Sequence, residues 1–276
     1  MNQCWKIAVI GSGPAGFYAA GELFRQQSWE IKVDMFERLP TPFGLVRGGV
    51  APDHQKIKSV QKIYSRIAEN ENFRFFGNVE FGRDIFQADL LEHYDAVIYS
   101  VGSHADRALG IPGENLSGSH SATEFVAWYN GHPDFCDYKF DLSAKNAFVI
   151  GIGNVALDVA RILAKTPEEL AETDIADYAL DALRASQLED IWLVGRRGPV
   201  QAAFSPAELR EFMELAEADV VVEQNVLELD AESQQILETD ASNDTKKNIE
   251  ILKQISLRDV SAKKASGSFS VSQFTC

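Results

Sequence analysis

The stretch KIAVIGSGPAG at residues 6–16 decides the fold of the first part of this chain. Its apolar run is long enough for a buried parallel strand. The glycines of a GxGxxG fingerprint follow at once, and residues 17–26 predict a helix. In this fingerprint Gly11 makes a tight turn, Gly13 lets the backbone approach a pyrophosphate, and Gly16 lets helix and strand pack closely. The stretch therefore predicts a dinucleotide site with its phosphates at a helix N-terminus.

The strand predicted next in the sequence ends on an acid. Residues 31–36 predict this strand, and Glu37 follows it, 21 positions after Gly16. An acid at about this offset hydrogen-bonds a ribose hydroxyl in dinucleotide-binding folds. The alternatives are a glycine-rich turn without a ligand and a solvated glutamate at a strand end. The register of strand, helix and acid favours dinucleotide binding over both.

A second glycine loop, GIGNVA at residues 151–156, repeats this arrangement. Residues 146–150 predict its strand and residues 155–164 predict its helix. Ala156 replaces the third glycine, which the fingerprint allows. An insertion at residues 166–187 separates this helix from the next strand, and its composition predicts one or two extra surface helices.

The second loop is followed by arginines where the first is followed by an acid. Residues 191–194 predict the strand, and Arg196 and Arg197 come directly after its terminal glycine. Guanidinium groups match the geometry of phosphate through paired hydrogen bonds. The pair therefore predicts a preference for the 2′-phosphate of NADP(H) over NAD(H), with a basic surface turn as the alternative. One loop is followed by a strand that ends on an acid, and the other by a strand that ends on arginines. This difference suggests that the chain holds two different dinucleotides and passes a hydride between them.

Length and composition exclude several classes of protein. The chain has 276 residues, 45% of them hydrophobic, which suits about two domains. A net charge of −15 argues against nucleic acid as a partner, and no apolar run reaches the roughly 18 residues of a membrane span. The three cysteines form no CxxC pair, which argues against a redox disulfide or a cysteine-ligated cluster. No secretory or transit pattern precedes the first strand, so we expect a cytoplasmic protein. We also expect no metal site.

The motifs divide the chain into two domains. We predict an α/β protein with two Rossmann-like nucleotide-binding domains, each with three layers around a mostly parallel sheet. Residues 1–104 form the first domain, including a strand at residues 94–101, and residues 105–276 form the second. From about Asp230 the sequence loses apolar periodicity, and residues 266–276 are expected to be a poorly ordered tail.

Four motifs resemble those of the adrenodoxin reductase-like ferredoxin–NADP reductases. They are GSGPAGFYAA at 11–20, PFGLVRGGVAPDH at 42–54, GNVALDVAR at 153–161 and VGRRGP at 194–199. The resemblance extends over about residues 5–255, and the second motif is far more specific than a glycine fingerprint. It implies FAD in the first loop and NADPH at the second. It also implies hydride transfer from nicotinamide to flavin and single-electron transfer to a ferredoxin-type protein.

The fingerprints and the resemblance together imply the cofactor-binding residues. Those assigned to FAD are Gly11, Gly13, Pro14, Ala15, Gly16, Glu37, Leu45 and Phe81. Those assigned to NADP(H) are Gly151, Ile152, Gly153, Asn154, Val155, Arg196, Arg197 and Glu208.

The resemblance also implies three polar groups at the catalytic site, His54, Asp158 and Glu208. Each has an alternative role in the fold. Glu208 stands in the capping box SPAE at the start of a helix predicted over residues 206–216. Asp158 lies near the start of a helix, where the dipole favours an acid. His54 lies at a probable helix start, where the alternative is a capping or surface histidine. Because hydride transfer between cofactors depends mainly on positioning, weak acid–base signals are expected.

The sequence departs from this family after about residue 257. A flavin-contacting segment of the form GWxKRGPxG is absent. We therefore expect a C-terminally truncated chain with an incomplete FAD domain, in which NADP(H) binding survives better than turnover. One alternative is another NADPH-dependent flavin oxidoreductase, such as a glutamate synthase-type electron-input subunit, although that class carries an N-terminal cysteine cluster. The other alternative is a catalytically silent NADP(H)-binding fragment.

Overall fold

A computed structural model describes residues 4–103 and 106–258, and the backbone of residues 268–273. The chain forms two compact units. The first comprises residues 1–114 and 126–137, and the second comprises residues 115–125 and 138–276. Helix α6, Ala122–Tyr129, is divided between them. Within the described parts of the chain, no helix has the length and hydropathy to cross a membrane.

The first unit contains a parallel sheet with strand order β3-β2-β1-β4. Its strands are β1 Cys4–Ile10, β2 Glu30–Phe36, β3 Phe73–Phe76 and β4 Ala96–Tyr99. Its helices are α1 Pro14–Arg25, α2 Leu45–Gly48, α3 Gln55–Lys58, α4 Gln61–Ala68 and α5 Gln87–His93.

Apolar residues of β1 and β2 build a core on each face of this first sheet. Val9 and Met35 pack with Phe17 of α1 on one face. Ile10 and Phe36 pack with other apolar residues on the opposite face. Because successive strand residues point to opposite faces, a buried parallel strand reads as a continuous apolar run. This packing holds the carboxyl ends of β1 and β2 beside each other.

The second unit contains a parallel sheet with strand order β5-β6-β8-β7. Its strands are β5 Asn146–Ile150, β6 Asp190–Gly195, β7 Asp219–Val222 and β8 Ser268–Gln273. Its helices are α7 Asn154–Ala164, α8 Pro167–Ala171, α9 Asp177–Arg184, α10 Pro206–Glu211, α11 Ala231–Thr239 and α12 Asn243–Ser256. Short 3-10 turns lie at Pro199–Gln201, Phe212–Glu214 and Gln224–Leu227.

One hydrophobic core of the second unit packs α7 and α12 against its sheet. Leu157 of α7, Leu193 of β6 and Leu252 of α12 are buried together there. On β5, Phe148 is 58% exposed, and its ring stacks on that of Trp192 with 6.1 Å between centroids. Trp192 Nε1 donates a hydrogen bond to Asn146 Oδ1 at 3.2 Å. This aromatic stack is part of the exposed side of the sheet.

The α/β class with parallel sheets is confirmed. Helices α8 and α9 confirm the prediction of one or two extra helices in the insertion at residues 166–187. The buried face of each helix carries leucine, namely Leu170 in α8 and Leu180 and Leu183 in α9. The division into domains at residues 104 and 105 stays a prediction, since both of those residues lie outside the described part of the chain.

Three expectations about the second unit were wrong. The helix predicted over residues 206–216 is shorter, because α10 ends at Glu211 and a 3-10 turn follows. The segment after Asp230 contains α11 and α12, whose N-cap residues are Asp230 and Ser242. Residues 268–273, expected within a poorly ordered tail, form β8, and the rest of that tail lies outside the described residues. The alternation SFSVS at 268–272 is the period-two pattern of a strand.

Candidate nucleotide-binding sites

Two glycines of the first loop are required by the fold itself. Gly11 has a φ of +98°, and its N–H donates a hydrogen bond to the Phe36 carbonyl at 2.8 Å. A Cβ on Gly11 would collide with the backbone of Ser100. A Cβ on Gly16 would collide with the carbonyl oxygen of Gly11. These contacts let α1 and the strands approach each other as closely as a dinucleotide fold requires.

Gly13 has open surroundings instead. A Cβ on Gly13 would meet no atom of the described residues within 4 Å. Gly13 is the N-cap residue of α1, its side-chain position is empty, and Pro14 stands at the first helical position. The loop therefore presents bare backbone and the helix N-terminus on its open side, which is the surface a pyrophosphate needs. The three glycines thus fit the group that the fingerprint predicts.

Glu37 closes the first loop from the end of β2. Its Oε2 accepts hydrogen bonds from the Ser12 N–H at 3.0 Å and the Ser12 hydroxyl at 2.7 Å. Its Oε1 accepts one from the Leu39 N–H at 3.1 Å. The carboxylate is therefore fixed beside the glycine loop, whereas a solvated glutamate at a strand end would have no such contacts. This is the place where an acid can reach a ribose.

The specific motif at residues 42–54 returns to the same loop. The Phe43 N–H donates to the Ser12 carbonyl at 3.0 Å. A Cβ on Gly44, whose φ is +48°, would lie 2.8 Å from the Cα of Gly13. Leu45 follows at the start of α2 and is 71% exposed. The motif therefore places Leu45 next to the open glycine of the loop.

Phe81 and His54 occupy different places in the first unit. Phe81 forms an isolated bridge with Ile85, and its ring packs edge-on against Tyr99 at the carboxyl end of β4. His54 is the N-cap residue of α3, but its side chain does not make the capping hydrogen bond. The imidazole is 9% exposed. The capping role that we weighed for His54 is therefore wrong.

The second loop begins with a backbone hydrogen bond like that of the first loop, and Ser205 then binds the side chain of its Asn154. The Gly151 N–H donates to the Val194 carbonyl at 2.9 Å. Gly153 is the N-cap residue of α7, and a Cβ there would meet nothing within 4 Å among the described residues. The Asn154 side chain accepts a hydrogen bond from the Ser205 N–H at 2.8 Å. Bare backbone at Gly153 and an uncapped helix start again suit a pyrophosphate.

Arg196 and Arg197 lie directly beside this second loop. A Cβ on Gly195, the residue before them, would approach the Ile152 side chain to 2.8 Å. Both arginines are exposed. Among the described residues, neither guanidinium has a hydrogen bond or an ion pair. Two guanidinium groups at the carboxyl end of β6 are therefore available to a phosphate.

Asp158 and Glu208 are brought together by an arginine that the sequence analysis did not assign. Arg161 is 1% exposed, and its guanidinium lies 2.7 Å from Asp158, 3.3 Å from Glu208 and 3.2 Å from Glu211. We call these four residues the Arg161 cluster. The i, i+3 spacing of Asp158 and Arg161 on one helix face was the available signal. Nothing in the sequence indicated that Glu211 would join them from α10.

The capping box at the start of α10 is only half formed. The Ser205 hydroxyl accepts a hydrogen bond from the Glu208 N–H at 3.3 Å, as predicted. The Glu208 carboxylate pairs with Arg161 instead of returning to the Ser205 N–H. That N–H is bound by Asn154 of the second loop. Glu208 therefore does more than cap the helix, because its carboxylate joins α10 to α7.

The chain belongs to the pyridine nucleotide-disulphide oxidoreductase family, whose model matches residues 5–250. It is 50% identical over 256 residues to the NADPH-ferredoxin reductase FprA of Mycobacterium leprae, covering 91% of this chain and 56% of that protein. It is 47% identical over 234 residues to the mitochondrial NADPH:adrenodoxin oxidoreductase of Arabidopsis thaliana, covering 84% and 48%. The resemblance inferred from the four motifs is confirmed.

A solved structure supports the same relationship. FprA of Mycobacterium tuberculosis in complex with NADPH superposes with a TM-score of 0.90 and 46% identity. The match covers 98% of this chain and 59% of that one. The chain thus spans about half the length of the curated relatives it matches.

Proposed function

We propose that this chain takes part in electron transfer from NADPH through FAD to a ferredoxin-type iron–sulfur protein. One observation carries the proposal. The two glycine loops have the same open backbone, but Glu37 closes the first while two arginines without partners among the described residues flank the second. An acid suits a ribose hydroxyl and an arginine pair suits a 2′-phosphate. The loops are therefore built for different dinucleotides.

The first loop fits FAD by the chemistry of its donors. Gly11, Gly13 and Gly16 would hold the pyrophosphate, and the Glu37 carboxylate would hold the ribose. Leu45, which is exposed, and Phe81, whose ring packs on Tyr99, would contact the ring system. When bound, a flavin accepts a hydride and can release electrons one at a time. Residues 1–104 form the FAD-binding part in this proposal.

The second loop fits NADP(H) in the same way. Gly151, Gly153 and the start of α7 would bind the pyrophosphate, with Ile152, Asn154 and Val155 around it. Arg196 and Arg197 would bind the 2′-phosphate. Residues 105–276 form the NADP(H)-binding part in this proposal.

We assign the polar candidates to the nicotinamide end of the site. Asp158 and Glu208 are held in place by Arg161, so their carboxylates have defined positions without any ligand. His54 is buried, so its imidazole is also held by its surroundings. Their role is to orient the nucleotide, because hydride transfer depends chiefly on placement.

The names of the relatives and the composition support a proposal for the acceptor and the location. The names of the relatives point to ferredoxin and adrenodoxin, and we propose an acceptor of this iron–sulfur class. The cysteines form no paired motif, which suits a reducing compartment, and we propose a cytoplasmic location.

A flavin reduction assay tests the proposal. The purified chain is incubated with FAD, freed of unbound flavin and mixed with NADPH without oxygen. We expect the flavin absorbance to bleach with NADPH much faster than with NADH, and an added ferredoxin to be reduced afterwards. Bound flavin that NADPH leaves oxidised would contradict the proposal. NADPH binding with no flavin bound would favour the silent NADP(H)-binding alternative.

A further inference from the structure

The segment at residues 203–205 is hydrogen-bonded to the second glycine loop at both of its ends. The Ala203 N–H donates to the Ile152 carbonyl at 2.8 Å. The Ser205 N–H donates to Asn154 Oδ1, also at 2.8 Å. These two bonds hold the loop where α7 begins. A displacement of the segment would therefore move the backbone proposed to bind NADP(H).

A third hydrogen bond holds the middle of this segment from α12. Asn248 Nδ2 donates to the Phe204 carbonyl at 2.8 Å. Asn248 is 1% exposed and Phe204 is 5% exposed. Because both groups are shielded from water, the bond is electrostatically stronger than it would be at the surface. It joins two parts of the chain that are 44 positions apart.

The other polar atom of Asn248 argues against a role in stability alone. Asn248 Oδ1 is buried and has no hydrogen-bond partner among the described residues. A buried acceptor without a partner lowers the free energy of unfolding. Reversing the amide would set its oxygen against the Phe204 carbonyl, so the orientation is fixed. The adjacent buried positions of α12, Ile249, Ile251 and Leu252, are all apolar.

We infer that Asn248 is a positioning residue for the second nucleotide loop. It acts through the Phe204 carbonyl on the segment at residues 203–205. That segment then fixes the loop at Ile152 and Asn154 and the start of α10 at Ser205. An apolar side chain would fill the same space and remove the unpaired Oδ1, but it would release the segment. The inference rests on the proposed role of this loop in binding NADP(H).

The test compares Asn248→Leu with Asn243→Leu in the full chain. Asn243 is the exposed first residue of the same helix, so it is a matched control. Asn248→Leu leaves the Phe204 carbonyl without its donor but also removes the unpaired Oδ1, so we expect the thermal midpoint of unfolding to change little. We also expect the substitution to weaken NADPH binding about fivefold to tenfold, the effect of losing one buried hydrogen bond. Amide hydrogen exchange at Ala203 and Ser205 should become faster, and Asn243→Leu should change neither quantity.

Two outcomes would overturn the inference. One is unchanged NADPH affinity in Asn248→Leu, and the other is a fall in thermal stability that accounts for the loss of binding. Asn248→Met repeats both measurements with a side chain that adapts to irregular space, in case leucine overpacks the site. If the unaltered chain binds no NADPH, the proposed function fails. Hydrogen exchange at Ala203 and Ser205 would still decide whether Asn248 positions the segment.

Discussion

A Cβ added at Gly13 would meet open space, whereas a Cβ added at Gly16 would collide with the backbone of Gly11. The two glycines therefore serve different ends, although they belong to one fingerprint. Gly16 is required for the close packing of α1, and Gly13 is required only if a ligand approaches the loop. Substitution at these two positions separates folding from binding.

We predict that Gly13→Val abolishes flavin binding with only a small loss of stability. The φ of Gly13 is −74°, which valine adopts readily, and no described atom lies in the way. The free energy of unfolding should fall by about 1 kcal/mol or less, because valine is a poorer N-cap residue than glycine. Gly16→Val should instead lower it by about 1–3 kcal/mol or more through overpacking. Flavin absorbance after gel filtration and urea unfolding measure the two effects. Full flavin content in Gly13→Val would contradict the assignment of the first loop.

We predict that Arg196→Ala weakens NADPH binding about tenfold or more, because a charge-assisted hydrogen bond contributes roughly 1.5–3 kcal/mol. NADH lacks the 2′-phosphate, so its binding should hardly change. Arg184→Ala removes an exposed arginine elsewhere in the same unit and serves as the control. Titrations of both nucleotides against the three proteins provide the comparison. An equal loss for NADH and NADPH would show that the pair does not recognise the 2′-phosphate.

The loop residues could be predicted from the sequence, but their supporting residues could not. A fingerprint specifies Gly13, Glu37 and Arg196 by local spacing. Asn248 and Glu211 act through contacts across the fold, to Phe204 and Arg161 respectively. No spacing rule links residues so far apart in sequence. Their roles therefore emerged only from the geometry.

At the scale of elements, Arg161 ties α7 to α10. The guanidinium is almost fully buried and faces three carboxylates, one on its own helix and two on α10. A buried cation is tolerated only when it is paired in this way. Arg161 is the group that all three carboxylates contact. The cluster fixes the separation of the two helices that begin beside the second loop.

We predict that Arg161→Leu lowers the free energy of unfolding by about 3 kcal/mol, because clustered carboxylates are left without their cation. Arg184→Leu breaks an exposed i, i+3 pair with Asp181 on α9 and should cost about 1 kcal/mol or less. Urea unfolding of both variants measures the difference. Equal midpoints for the two would mean that the Arg161 cluster contributes no more than a surface ion pair.

The elements next to the glycine loops were predicted to within a few residues, and those after Asp230 were not. Strands β1 and β5 lie at the short apolar runs that directly precede the two glycine loops. The helix α12 was missed because its first turns are polar and its apolar face appears only from Ile249 onward. Strand β8 lies in a serine-rich segment that was expected to be poorly ordered because of its composition. Composition misled where periodicity would have been correct.

At the scale of the whole molecule, each unit has its own parallel sheet and its own glycine loop. The net charge is −15. A ferredoxin-type acceptor is commonly acidic, so the two molecules would repel each other at long range. Repulsion of this kind is screened within about 10 Å at 0.1 M salt. We therefore expect the rate at which the proposed partners meet to depend on the salt concentration.

We predict that the rate of ferredoxin reduction rises with salt between about 0.01 and 0.15 M, because screening weakens the repulsion. Stopped-flow measurement at several salt concentrations gives the slope. Reduction of a small uncharged quinone under the same conditions should stay constant. A rate that falls with salt would show that a local basic face outweighs the net charge at the docking site.

Trp192 gives the second unit an optical signal of its own. It is the single tryptophan in residues 138–276. It lies on β6, the strand that ends at the arginine pair, and its indole stacks on Phe148 of β5. Indole emission overlaps the absorption of a reduced nicotinamide, so a nucleotide bound at the end of β6 would draw excitation energy from this ring. Comparing the unaltered chain with Trp192→Phe isolates that transfer from the fluorescence of the tryptophans in the first unit. Occupancy of the second loop can thus be followed by light, whether or not the protein is coloured.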